Sequence, residues 1–446
     1  MPNFPNISGP IQYDTPGIYL WNPITDGDAS DRVCIWDRYS YNSNGIYENQ
    51  LESAKLSMNV NSGGTLTIKV PYTNTNLQYV IVNWDQVGVG PAPPAIRYPM
   101  YVNYNCLAQW IRCYVILPNG DIWFGRPQSM TYDEKGTATI VFEGALSFLS
   151  DFIVNGYDYQ EYYKETTGEL HGGISIRDFV RVMVERADSQ VSGLSGSDFR
   201  RIFQSTEAEA ADERVYPVSD SFQTIYDALI KGVVELSRGY FSSSFEYNES
   251  NARYYQYVYF KYYKAANSGL VLPREFVKSQ SKGVDYTEDT WLRLAPFGSK
   301  IDNSEKRYDI TGVEATHNHP AGSIWVSSNP NLNMYPINEY IKDIVTVAEI
   351  FEGVTDPQIL YKLADQIVRK HSMLNATKKF NMKCLGWYKR YPGLPADVEQ
   401  GDVRIGDYYT VEDLKRPLDC IKVDYDLLNP ANDSYEFEEH IFEKGG

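Results

Sequence analysis

Two histidines two residues apart, His317 and His319, form the spacing in this 446-residue sequence that most invites chemistry. On a strand, positions i and i+2 share a face, near enough for two imidazoles to hold one metal ion. No third ligand is spaced close by, and Asn318 and Pro320 favour a turn, so the pair reads as a polar loop. His171, His371 and His440 stand alone; His371 falls near the end of a predicted helix, where a contact with the helix dipole is the ordinary role. Ser195 in Gly193-Leu194-Ser195-Gly196-Ser197 resembles a nucleophile elbow, but the second glycine comes one position early and no strand leads into it. Carboxylate pairs such as Asp133 with Glu143, or Glu436 with Glu438, are unavoidable among 58 acids. None stands where water would be excluded or a pKa raised. There is no glycine-rich loop of the phosphate-cradling kind. Cys34, Cys106, Cys113, Cys384 and Cys420 sit singly in apolar or β-rich surroundings, without CxxC spacing, and read as buried free thiols. The sequence therefore predicts no catalytic centre, no metal site and no cofactor.

What it does predict is architecture. From Cys113 to Asp151 the chain reads as a meander: a β-rich run at Tyr114 to Leu117, a tight turn at Pro118-Asn119-Gly120-Asp121, and extended chain again at Ile122 to Gly125. A second turn at Asp133-Glu134-Lys135-Gly136 leads into Thr137 to Glu143, and Gly144 to Phe152 rolls over an apolar knot. Phe124, Phe142, Leu146 and Phe148 are the expected core anchors. Upstream, Leu51 to Asn59 alternates apolar and polar, Asn61-Ser62-Gly63-Gly64 turns, and Thr65 to Val70 returns. Arg32 to Tyr39 and Gln78 to Trp84 read as further strands. Thr15-Pro16-Gly17 reads as a turn. The segment from Val87 to Pro99 is too rich in proline and glycine to be a central strand. Short strands separated by turns are the signature of a barrel or sandwich.

Past Asn155 the pattern changes. Tyr157, Tyr159, Tyr162 and Tyr163 mark a polar aromatic linker. Ser175 with Asp178 forms a capping-box-like helix start, followed by a stripe of Ile176, Phe179, Val180, Met183, Val184 and Ala187. A second helix is expected after Asp220-Ser221, with Phe222, Ile225, Leu229, Val233 and Leu236 on its apolar face. Tyr240 to Tyr247 and Tyr254 to Tyr263 read as strands, as do Thr290 to Gly298, Tyr308 to Thr311 and Tyr340 to Phe351. Thr355-Asp356-Pro357 opens a third helix, with Ile359, Leu360, Leu363, Ala364, Ile367, Val368 and Leu374 inward. Phe380 to Leu385, Asp402 to Asp407 and Ile421 to Ile441 complete a β-rich end. The fold class is thus β-rich α+β, divided at 1–153, 154–270 and 271–446, the last part carrying a helical insertion around 355–375.

Composition narrows the class of function. Thirty-seven tyrosines favour strands and half-polar contact surfaces. The formal charge of −17 argues against nucleic-acid binding through phosphate neutralisation. A wall of that sign repels DNA weakly along its length, which suits a conduit past which DNA slides. The start, Met1 to Ser8, lacks a basic region followed by an apolar core. No window is apolar enough to span a bilayer, so membrane insertion is not expected and cytoplasmic synthesis is.

The meander also carries a resemblance. A strand, an Asn-Gly turn, Phe124-Gly125-Arg126, and a second strand ending in Phe142-Glu143-Gly144-Ala145-Leu146, then Phe148-Leu149 and Asp151, resemble the hub proteins at the tip of bacteriophage tails. These form the tail-associated lysin or prophage tail endopeptidase family, related to the baseplate hub of contractile phages. Leu51 to Tyr79 resembles the family's early hairpin. Ser237 to Phe241 resembles its glycine-aromatic turn, and Thr290 to Gly298 its Pro-x-Gly strand end. The turn at Asp426 to Asp433 resembles the start of its last hairpin. Trp84 to Pro99 departs from the family by being longer and proline-rich.

The resemblance implies two small β-barrels per chain with α+β elements between and beside them, assembled as a pseudo-hexameric homotrimer. It implies a structural virion protein that adapts a six-fold tail tube to a three-fold tip and closes or lines the DNA channel. Its partners would be further copies of itself, a distal tail protein or the tube, a tape-measure protein, and a central fibre or receptor-binding tip. Lytic modules appended in some members have no counterpart here, since the chain ends at Gly446 just past the hub-like hairpin; no enzymatic activity is expected. Pro91, Pro93, Pro94, Glu207 and Glu209, on long polar or proline-rich loops, are the candidate partner contacts. The competing expectation is a glycan-binding or cell-wall-degrading β protein, favoured by tyrosine and tryptophan abundance but not by any clustering of aromatics with acids.

Overall fold

The computed structural model describes residues 16–21, 32–38, 50–77, 80, 107, 111–117, 120–154, 173–191, 201–204, 214–217, 222–234, 237, 239–248, 253–265, 271–272, 277–283, 293–302, 304–327, 346–374, 379–384, 403–411 and 417–439. The N-terminal region holds β1 (Gly17–Trp21), β2 (Arg32–Asp37), β3 (Ser53–Asn59), β4 (Thr65–Val70), β5 (Arg112–Ile116), β6 (Ile122–Tyr132) and β7 (Ala138–Gly144). A 3-10 helix, Ala145–Asp151, leads to β8 (Ile153–Val154), β9 (Ile174–Ser175), α1 (Ile176–Val191), β10 (Arg201–Gln204), β11 (Arg214–Val215) and β12 (Gln223–Thr224). Then come α2 (Ile225–Leu229), continued by a π-helical turn over Ile230–Val234, and β13 (Tyr240–Asn248), β14 (Arg253–Lys261), β15 (Lys264–Ala265), β16 (Val271–Leu272) and β17 (Val277–Gly283). The remainder is β18 (Arg293–Phe297), β19 (Val326–Ser327), β20 (Thr346–Ile350), α3 (Pro357–Leu374), β21 (Lys379–Cys384), β22 (Asp407–Val411), β23 (Leu418–Asp426) and β24 (Ser434–Glu439).

The two ends of the chain build one fourteen-stranded sheet whose main path runs β17-β21-β24-β23-β3-β4-β7-β6-β5-β1-β2. The strands read as a first and a second barrel are hydrogen-bonded to each other through the antiparallel pair β3 and β23, with Leu56 opposite Tyr425 and Met58 opposite Val423. Strand alternation explains what this sheet buries: Ala54 and Leu56 of β3, Leu66 and Ile68 of β4, Ile140 and Phe142 of β7, and Val423 and Phe437 are all fully enclosed, while Lys55 faces out. These side chains share one core with Val403, Tyr409 and Leu418, so N- and C-terminal strands are packed as well as paired. Turn chemistry sets the local register. Gly64, Gly120 and Gly136 take positive φ, where a side chain is disfavoured, at three hairpin turns among the described residues.

A second core lies in the middle of the chain. Ser175 caps α1: its Oγ accepts the Asp178 amide and donates to the Asp178 carboxylate. The stripe from Ile176 to Ala187 is fully buried at each of its six apolar positions. It meets Leu229 and Val233 of the α2 segment, Val258 and Phe260 of β14, and Leu294, Leu360 and Leu363 from further on, all in one cluster. Asp356 accepts the amides of Gln358 and Ile359 and starts α3. Inside 271–446, therefore, β22 to β24 pack with the N-terminal sheet, while residues from Leu294 to Val368 pack with the middle helices.

Several local expectations differ from what is observed. The residues read as a turn at Gly17 open β1, which pairs with both β2 and β5. A Cβ on Gly17 would lie 2.6 Å from the Trp36 carbonyl oxygen, so this glycine serves close strand approach. Of the strand expected over Gln78 to Trp84, Val80 is described, and it is helical together with Thr75, Asn76 and Leu77. The reason is Asn74, whose side chain accepts the Leu77 amide and caps a helical turn. Strand β6 runs on to Tyr132, past Pro127, by a register shift between Pro127 and Ser129. The second helix starts at Ile225, with Thr224 as its cap, because Gln223 and Thr224 are extended and pair with β8. Phe222 consequently lies outside the helix and is 79 % exposed. Tyr308 to Thr311 is no strand: the Asp309 carboxylate accepts the Thr311 amide and folds the segment into a turn. Residues 403–406 likewise form a turn ahead of β22, with Gly406 at positive φ.

Candidate functional site

The residues that carried the resemblance converge where the sheet meets the middle of the chain. Gly125 of β6 pairs with Gly144 of β7, and Arg126 with Glu143. The Arg126 Nε donates to Glu143 Oε1 at 2.6 Å, and its Nη2 donates to Asp151 Oδ1 at 2.8 Å, with Nη1 on the second Asp151 oxygen. The same guanidinium lies 4.6 Å from the centre of the Phe148 ring, and Arg112 approaches that ring at 5.1 Å. Burial works to lower the Arg126 pKa, but the hydrogen bonds to Asp151 and Glu143 more than offset it, and the value stands above that of an ordinary arginine. One cation thus ties β7 to the far end of the 3-10 helix.

The apolar side of this joint divides among three groups. Phe142 belongs to the sheet core. Leu146 belongs to the middle core. Phe124 and Phe148 join Tyr114, Ile116, Trp21 and Phe245 in a third, smaller cluster between them. Phe245 of β13 sits 5.4 Å from Phe124 and 6.0 Å from Phe148, ring centre to ring centre. Gln256 of β14, 1 % exposed, donates to the Ala145 carbonyl at 2.7 Å. All four anchors expected from the sequence are at most 5 % exposed, but they fasten three bodies of side chains instead of filling one.

Glycine is needed here for contact. A Cβ on Gly144 would stand 1.5 Å from the carbonyl oxygen of Gly63, in the β3–β4 turn. The Gly144 amide donates to Gly64, and Trp123 Nε1 donates to Gly63 O at 2.8 Å. The signal that could have marked this site in the sequence was an arginine flanked by glycine and proline inside an apolar strand, with a second glycine at the strand end.

His317 is exposed and His319 fully buried, so they do not share a face. Thr316 to His319 forms a turn, in which Asn318 donates to Asp365 at 2.7 Å and accepts from Thr316 and Tyr361. The His319 Nδ1 lies 3.0 Å from both the Trp325 carbonyl and the Ser323 hydroxyl. Among the described residues no three metal-ligating side chains stand together. Asp133 accepts the amides of Lys135 and Thr137 and shapes its turn, far in role from Glu143. Cys113 and Cys420 are buried, Cys34 partly so, and burial pushes the Cys34 and Cys113 thiols well above their ordinary pKa. Ser195, His171, His440, Cys106, the tyrosines at 157–163, Pro91, Pro93, Pro94, Glu207 and Glu209 lie outside the described residues, as do the side chains of His371 and Cys384.

A cleft of about 840 Å³ lies open over the polar face of β4, β3 and β23, lined by Lys55, Ser57, Thr67, Asp424, Asp426 and Ser434 among others. Its carboxylates are engaged locally. Asp424 meets Lys422 Nζ at 3.1 Å, and Asp426 accepts the Asn429 amide and the Asn432 side chain. The lining includes no histidine or cysteine.

No family model matches this sequence, and no curated protein does. Among solved structures, the chain is similar to the 43 kDa tail protein of prophage MuSo2 from Shewanella oneidensis, with TM-score 0.48 and 11 % identity over 89 % of this chain and 96 % of that one. It is similar to a tail protein from Neisseria meningitidis MC58, with TM-score 0.46 and 9 % identity over 95 % and 96 % of the two chains. It is similar as well to the prophage tail protein gp18 from Listeria monocytogenes EGD-e, with TM-score 0.44 and 8 % identity over 96 % and 95 %.

Proposed function

We propose that this chain is the hub at the distal end of a bacteriophage tail, a structural virion protein and not an enzyme. The observation that carries the reading is the joint around Arg126. Residues of the meander on which the resemblance to tail hubs rests lie at the place where the sheet meets the middle of the chain: Gly125 and Gly144 allow close backbone approach within the sheet, Arg126, Glu143 and Asp151 tie β6 and β7 to the end of the 3-10 helix by charge, and Phe124 and Phe148 pack against Phe245 of β13. A catalytic signature leaves its charged groups facing a substrate. Here Arg126 is ion-paired to both Glu143 and Asp151, and the motif holds two bodies together.

In this reading the divisions 1–153, 154–270 and 271–446 contribute two barrel-like halves and an α+β unit, and three chains form a ring of six similar parts. The ring adapts a six-fold tube, or a distal tail protein seated on it, to a three-fold central fibre or receptor-binding tip. The tape-measure protein ends against it, and DNA passes through its channel without specific binding, in keeping with the −17 formal charge. Its partner contacts are the segments around Pro91, Pro93, Pro94, Glu207 and Glu209. No helix among the described residues is long and apolar enough to cross a membrane.

The test is the mass and symmetry of the assembled protein. Light scattering on the purified chain, alone and with its tail partners, should give three chain masses, and averaged electron micrographs of the particle should place it at the tail tip. A monomer inside the particle would overturn the proposal. Cleavage of cell-wall glycan by the purified chain would replace it with the lytic alternative.

A further inference from the structure

The β3–β4 turn does more than reverse the chain. Asn61 occupies the left-handed region, with φ of 59°, a conformation that asparagine tolerates better than most residues. That conformation presents four acceptors from one turn to neighbouring elements. The Asn61 side-chain oxygen accepts the amide of Phe241 in β13 at 2.7 Å, across 180 residues of sequence. The Asn61 carbonyl accepts the hydroxyl of Tyr226 in α2. The carbonyls of Gly63 and Gly64 accept from Trp123 and Gly144, on the sheet's own side. One half of the turn therefore faces the middle unit and the other half faces the sheet, and the Gly63–Gly144 contact leaves no room for the turn to shift.

We propose that this turn is a docking key: Asn61 fixes the orientation in which α2 and β13 seat on the sheet, and so couples the stability of the two bodies. Two features make the contact specific. The Phe241 amide is the second residue of β13, so engaging it sets where that strand starts, and Phe241 itself inserts beside Phe260 in the middle core at 5.3 Å between ring centres. Tyr226 lies in the first turn of α2, so its hydroxyl sets the approach of that helix. A turn serving hairpin closure alone would need neither bond.

Hydrogen exchange on the full chain separates the two roles. Asn61→Gly keeps the positive-φ backbone while deleting the side-chain acceptor, and Asn61→Asp keeps the acceptor oxygen. With Asn61→Gly, exchange in peptides covering Tyr226 and Phe241 should quicken by about tenfold, the equilibrium equivalent of one hydrogen bond to a buried amide left unmade. Peptides covering β5 and β6 should be unchanged, and Asn61→Asp should restore protection. Tyr226→Phe, which leaves the turn itself intact, should quicken the same peptides. Protection in those peptides equal to the parent in both Asn61→Gly and Tyr226→Phe would overturn the proposal. So would an acceleration confined to β3 and β4, since the turn would then be serving its own hairpin alone.

Discussion

The sheet core and the middle core are built from the same kinds of apolar side chain, yet they differ in how far apart their parts lie in sequence. In the middle core a single helix, α1, contributes six fully buried positions in twelve residues. In the sheet core no strand is complete by itself: β3 lies between β4, its hairpin partner, and β23, more than 350 residues further along the chain. The lesson is about hydrogen bonding. A helix satisfies its backbone internally, so its stripe reports burial wherever the covering surface comes from. A strand must borrow its partners, so alternation reports which face is buried and nothing about which strand lies alongside.

Substitutions can break this comparison at its strongest points first. Phe142→Ala in the sheet core and Phe179→Ala in the middle core each remove a fully buried ring and should cost about 3–5 kcal/mol in urea denaturation. If the joint couples the two bodies, both variants will unfold in one transition at lower denaturant. Two separate transitions, each moved by only one variant, would show the bodies to be independent. Arg126→Met should cost less, about 1–3 kcal/mol, because it leaves the partly exposed carboxylates of Glu143 and Asp151 without their shared cation. It should act on the coupling between the bodies more than on either alone.

Smaller effects sharpen the same contrast. Removing a helix cap, by Ser175→Ala at α1 or Asp356→Ala at α3, should cost about 1 kcal/mol each in thermal unfolding, a loss confined to the middle core. In the sheet core the corresponding probe is Asp407. Burial raises its carboxyl pKa more than neighbouring Arg404 lowers it, so the folded state favours the protonated form. Ionised Asp407 is therefore a cost that is absent in acid and sets in as pH rises through and above the ordinary carboxylate range. Asp407→Asn should raise the melting temperature at pH 7 relative to the parent, and the difference should close as pH falls below that range. Phe222→Ser, at a ring outside both cores, should change stability by no more than about 0.5 kcal/mol.

Read alone, the sequence determined the local pieces. The Asn-Gly and Gly-Gly turns, the Ser175 and Asp356 caps, the stripe of α1 and the burial of Phe124, Phe142, Leu146 and Phe148 all follow from short-range sterics, capping and period, which act within a dozen residues. Helix and strand ends are less legible where a side chain acts on a backbone nearby, as Asn74 does in capping the helical turn over Thr75 to Leu77, and where extended pairing delays a helix, as Gln223 and Thr224 do for α2.

Tertiary structure alone decided the rest. That β3 meets β23, that Leu294 to Val368 packs with the middle helices, and that Arg126 finds Asp151 while Asn61 finds Phe241 are choices among partners of equal local merit. They depend on how apolar faces are covered and backbone groups paired across the whole chain at once, a condition that no window of sequence contains.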